Sequence, residues 1–141
     1  MTNVTLARSY FEKAQVRLVV LDVLMTNKAY SDVVREAQEV VELALKAMLR
    51  YVGIEPPKVH DVGRYLVENQ SRFPRNVRKY LRRLAEISTW LRKEREFSFY
   101  GDVDFIPTDE YKKPDGTRAT RDAKLAVSVC KKLLGKGSRD L

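Results

Sequence analysis

Residues 37–49 read AQEVVELALKAML, and the fold turns on how that run is read. From Val40 to Leu49 apolar side chains come nearly all round a helix, interrupted by one polar line: Glu39, Glu42, Lys46 and Arg50. A helix apolar on almost every side has to be covered by other elements, which puts it at the centre of a bundle. The pattern extends it over ~30–52, with Ser31 placed to cap its start. Gly53 ends it, and Pro56-Pro57 prevents it from resuming.

Working outward, the flanking segments show helical spacing and no alternating strand pattern. A first helix is predicted over ~3–27, with Leu6, Tyr10, Ala14, Leu18 and Leu21 facing inward. His60 and Asp61 open a short third helix over ~60–69, Asp61 serving as its cap. A fourth, long helix starts after Pro74 and runs to about Tyr100, carrying Val77, Leu81, Leu84, Ser88 and Leu91 inward. Residues 101–118 form a loop with Pro107, Pro114 and Asp115-Gly116, a turn signal. The last helix covers ~119–134, with Ala123, Ala126, Cys130 and Leu133 on one face, and Gly135 and Gly137 end it. The expectation is an all-α, up-and-down antiparallel bundle of about five helices, four long and one short, forming one domain over residues 1–141.

A chain of 141 residues with 44% hydrophobic and 33% charged residues is globular and sized for one core. The single cysteine, Cys130, excludes an internal disulfide and fits a reducing compartment. Asp22 interrupts the longest apolar stretch near the start, and neither a signal peptide nor a membrane span is read. A soluble cytoplasmic protein is expected, with no metal and no cofactor.

The formal net charge is +8, and its placement says more than its size. Residues 72–95 hold nine basic side chains, Arg72, Arg75, Arg78, Lys79, Arg82, Arg83, Arg92, Lys93 and Arg95, against Glu86 and Glu94, a net +7. A patch of this kind attracts phosphates. The same residues would equally form a solvated helix face in a chain rich in lysine and arginine.

Continuing the inward line Val77, Leu81, Leu84, Ser88, Leu91 by four residues reaches Arg95. A guanidinium there needs a partner or a cleft, because burying it unpaired is costly; its alternative is to snorkel outward. Glu42 and Lys46 stand four apart, the spacing of a helical ion pair. His60 reads as a helix-start hydrogen-bonding residue, and Asp102, Asp104, Asp109 and Glu110 as solvated loop acids. Trp90, Phe97 and Phe99 read as core or dimer-interface residues.

These residues carry a resemblance. Glu42 and Lys46 in an E-x-x-x-K pattern, the HDV run at His60, RKEREFSFYGD around Arg95 and the loop GDVDFIPTDEY together resemble the HEPN family of nucleotide-binding domains, its archaeal members closely in the loop. The resemblance covers essentially the full length. It implies a helical bundle that dimerises along its helices and pairs with a small nucleotidyltransferase in a two-component, toxin–antitoxin-like system. Many members resemble metal-independent ribonucleases with an Arg-x(4–6)-His centre. Arg95 matches the arginine, but Tyr100 stands where the histidine belongs, and Ala47 follows Lys46 where the family has asparagine. Tyrosine, with an ordinary pKa near ~10, is a poor proton acceptor at neutral pH. The resemblance therefore implies a nucleotide- or RNA-binding protein in which Arg95, Lys46, Glu42 and Tyr100 share a phosphate site and the patch Arg75, Arg78, Lys79, Arg82 and Arg83 assists. A ribonuclease weakened by Tyr100 and a purely structural interaction subunit are the alternatives.

Overall fold

The structure, a computed structural model, describes residues 2–135. In chain order it contains α1 (Thr2–Thr26), α2 (Tyr30–Tyr51), α3 (Gly63–Glu68), a 3-10 turn at Gln70–Arg72, α4 (Arg75–Arg78), α5 (Leu81–Glu94), α6 (Pro107–Glu110) and α7 (Lys113–Leu134). Among the described residues there is no strand, only an isolated bridge between Asp102 and Phe105. The protein is all-α. Gly137, expected to help end the last helix, lies outside the described residues.

The central position of α2 follows from its composition. Between Val40 and Leu49 only Glu42, Leu43 and Lys46 are not buried. It packs on α1, α7 and α5. The three-residue link between α1 and α2, whose faces pack along their length, makes that pair an antiparallel hairpin. At the far end the N–H of Gly53 donates to the Arg50 carbonyl at 3.0 Å and that of Ile54 to the Leu49 carbonyl at 2.9 Å. These bonds satisfy carbonyls that the helix end leaves open.

Local chemistry overrides the sequence pattern in several places. Ser31 does not cap α2; it is buried in the first turn, and Ala29 holds the cap position with no side-chain bond. The inward face of α1 runs through Ala7 and Phe11 in place of Leu6, which is 38% exposed, and Tyr10, which is half-buried. His60 and Asp61 lie ahead of α3, which starts at Gly63.

The long fourth helix is two helices. The N–H of Tyr80 turns back to Val77 at 2.9 Å, a three-residue step that separates α4 from α5. Helix α5 then stops at Glu94, and the Ser98 hydroxyl bonds the Arg95 carbonyl at 3.2 Å, competing with helical pairing. The inward line survives both breaks: Val77, Leu81, Leu84, Ser88 and Leu91 are all buried.

The largest departure is at 113–118, read as loop but forming the first turns of α7. Pro114 sits in the opening turn, where its missing N–H costs nothing, and Asp115 accepts the N–H of Lys112 at 2.8 Å. Gly116 is needed for packing: a Cβ there would stand 2.8 Å from the Met25 sulfur and 3.0 Å from the Tyr30 ring. The turn signal was a helix start against a crowded neighbour.

Candidate nucleic-acid interface

Arg95 turns inward. Its side chain is 13% exposed, and its Nη1 donates to Glu39 Oε2 at 2.8 Å and to Gln38 Oε1. Arg35 reaches the same corner, its guanidinium over the Phe99 ring at 4.7 Å and Nη1 within 3.5 Å of the Arg95 carbonyl. The end of α5 is thereby fixed to the polar line of α2.

That line continues without a break. Gln38 Nε2 donates to Glu42 Oε1 at 3.0 Å, and Lys46 Nζ donates to Glu42 Oε2 at 2.8 Å. The Nδ1 of His60 lies 2.9 Å from Glu42 Oε1. Burial opposes ionisation of Glu42, but the hydrogen bonds from Lys46, Gln38 and His60 outweigh it and hold its pKa below the ordinary carboxylate value. Arg95 and Lys46 thus share one network, bridged by Gln38 and Glu42. Each already faces a carboxylate. Tyr100 is not brought in: it is 71% exposed, with its ring against Phe99.

Of this network, Gln38 was not singled out from sequence and His60 was not connected to Glu42. Gln38 stands one turn before Glu42, so its spacing was available as a signal. His60 was read only as a helix-start residue, and no local pattern points from it to Glu42.

The basic segment turns the other way. Of its nine cations, all but Arg95 are exposed. Among the described residues, Arg83 alone of those eight meets carboxylates, Glu86 at 3.8 Å and the buried Asp122 at 3.3 Å. Arg78 closes on the Phe73 carbonyl through Nε and Nη2, at 3.3 and 2.9 Å, and Arg72 on the Val52 carbonyl at 3.0 Å. Arg75, Lys79, Arg82, Arg92 and Lys93 meet no acid among the described residues. Arg82 and Lys93 border a groove of about 640 Å³ between α3 and α5, together with Arg64, Trp90 and the carboxylates of Glu68 and Glu86. The indole of Trp90 carries the Arg118 guanidinium at 3.7 Å, which leaves it half-buried as a platform for a cation. Phe97 and Phe99, at 49% and 50% exposure, are not core.

The segment after Arg95 is anchored from the far side. The Tyr111 hydroxyl bonds Glu94 Oε1 at 2.5 Å, and burial followed by that bond pushes its pKa up, so it stays a donor. Among the described residues, no helix is long and apolar enough to cross a membrane. A family model described as HEPN domain matches residues 7–137. Neither the curated proteins nor the solved structures supply a match.

Proposed function

The chain belongs to the HEPN family, and on that premise we propose that it binds RNA or a nucleotide through the outward basic face of α4 and α5. One observation carries the reading. Among the described residues, seven exposed cations between residues 72 and 93 meet no carboxylate, whereas Arg95 and Lys46 are each already paired. Unpaired exposed cations are the groups that exchange counterions for phosphates. Arg95, Lys46, Glu42 and Gln38 act beneath that face, holding the end of α5 in register with α2. Tyr100 belongs to the apolar surface beside it.

The protein works as a cytoplasmic homodimer, accessory to a small nucleotidyltransferase in a two-component system. The family resemblance supports the nucleotidyltransferase. The dimer is supported by an exposed apolar run, Phe97, Phe99, Tyr100, Val103 and Ile106, the last three 71%, 86% and 46% exposed. The test is the affinity of the purified protein for a labelled single-stranded RNA, measured by anisotropy across salt concentrations. A steep fall, with a slope of roughly −0.7 in log K against log salt per phosphate neutralised, is expected. Salt-independent affinity, or none at low salt, would remove the assignment.

A further inference from the structure

One carboxylate on α7 gathers three arginines. Asp122 is 2% exposed, with Oδ1 3.3 Å from Arg83 Nη2 and 3.6 Å from Arg121 Nε, and Oδ2 3.8 Å from Arg118 Nε. Arg118 and Arg121 stand on α7 itself, one turn and one residue before Asp122, and Arg83 reaches it from α5. All three arginines are exposed. The guanidiniums therefore form an open rim above a buried acid, at the junction of α5 with α7.

That rim is short of negative charge. Three guanidiniums against one buried carboxylate leave two positive charges in excess. Glu86 also meets Arg83, at 3.8 Å, but from an exposed position on the same helix, where solvent and salt screen the contact. Acceptors are short as well. Only Arg83 hydrogen-bonds Asp122; among the described residues Oδ2 of Asp122 has no donor, and Arg118 and Arg121 stand beyond hydrogen-bond distance of it. Each guanidinium carries five N–H donors in a planar fork, so most of them stay open to a ligand. Arg118 is also held in orientation, 3.7 Å over the Trp90 ring, a stacking that leaves its edge free to donate. Like charges converged in this way call for an anion that brings more than one negative charge and several oxygens. A phosphate monoester does, with a charge of about −1.5 to −2 at neutral pH and three acceptor oxygens. An internal phosphodiester carries a single charge and matches the rim less well.

We propose that Arg83, Arg118 and Arg121, gathered by Asp122, bind a terminal phosphate monoester, the group carried by the 5′ end of an RNA or by a mononucleotide. The inference rests on the RNA-binding reading and adds a preference for a phosphorylated end to it. Arg83 follows Arg82 on α5, so the site continues the basic face where α5 packs against α7. Internal phosphates lie along α4 and α5, and the terminal one is taken at the rim. Charge-assisted, forked hydrogen bonds from guanidinium edges hold it.

The test uses the full chain and one single-stranded RNA, labelled at its 3′ end and prepared with either a 5′-phosphate or a 5′-hydroxyl. Anisotropy should show the phosphorylated strand bound at least about tenfold more tightly, the order that one hydrogen bond to a charged group supplies. Arg121→Gln and Arg118→Gln should each lose most of that preference, while the 5′-hydroxyl strand binds both variants as it binds the wild type. Arg121→Gln, which removes only an exposed contact, should keep the wild-type melting temperature. Adenosine 5′-monophosphate as competitor separates the two sources of the group. Displacement near the phosphorylated strand's own Kd marks a mononucleotide site, and displacement only far above it marks an RNA end; either supports the monoester site. Equal affinity for the two strands, or a preference that survives in both variants, would overturn this inference and leave the binding proposal standing. Binding of neither strand would overturn both.

Discussion

Arg95 ties the end of α5 to the middle of α2 through Gln38 and Glu39. Gln38 is 2% exposed, so removing the guanidinium leaves a buried amide oxygen without its donor. Arg95→Ala should destabilise the fold by about 1–3 kcal/mol, the usual cost of orphaning a buried polar group. Thermal melting measures it, and an unchanged melting temperature would show that the link contributes nothing. Glu42 makes a pH prediction. Its pKa is lowered in the folded state, so its contribution to stability is complete above the ordinary carboxylate range and is lost as pH falls through the folded value. Melting curves of Glu42→Gln should lose part of the acid-side decline below about pH 4.3, the unperturbed glutamate value; an identical decline in both proteins would contradict this. The inward turn of Arg95 was legible because it continues the three- and four-residue steps of Leu84, Ser88 and Leu91. The meeting of His60 with Glu42 was not, since 18 residues and an aperiodic link separate them.

The elements that make the groove are α3 and α5, and they approach at Gly63. A Cβ at that position would stand 2.6 Å from the Ala85 Cα, a backbone atom that cannot step aside. Gly63→Ala should therefore push α3 off α5 and cost roughly 1–3 kcal/mol, as overpacking does. Chemical denaturation checks it, and a stability equal to wild type would show that the two helices are not in the contact described. Periodicity found α1, α5 and α7 because each buries one face, and a buried face leaves a repeat in the sequence; α2 was found by being apolar nearly all round. It could not find the break at Tyr80, since a step of three at one residue leaves the apolar line of α4 and α5 intact. It misread Pro114 and Gly116 because both mark turns in isolation. Only the nearby Met25 and Tyr30 show that the glycine answers to packing.

At the scale of the molecule, a positive face on α4 and α5 stands exposed together with two apolar sets, the run from Phe97 to Ile106 and Val16, Val19, Val20 and Val23 on α1. The apolar run from Phe97 to Ile106 should bring two copies together, so light scattering at micromolar concentration should give twice the chain mass. Val103→Asp with Tyr100→Asp should return the monomer without altering the melting of the bundle, and a wild-type monomer would contradict the dimer. The positive surface carries the central claim. Its most direct test compares two fourfold alanine variants in the salt dependence of RNA affinity. The first removes Arg75, Lys79, Arg82 and Lys93, which meet no carboxylate among the described residues; Arg78 and Arg83 are spared because they bond Phe73 and Asp122. The second removes Lys13, Lys113, Lys124 and Lys131, also exposed but lying on other helices. If RNA lies on α4 and α5, the first variant should flatten the slope by up to about 3, at roughly 0.7 for each lost phosphate contact, and the second should leave it near the wild-type value. Equal slopes in the two variants would mean that the protein's general positive charge, and not this face, attracts RNA.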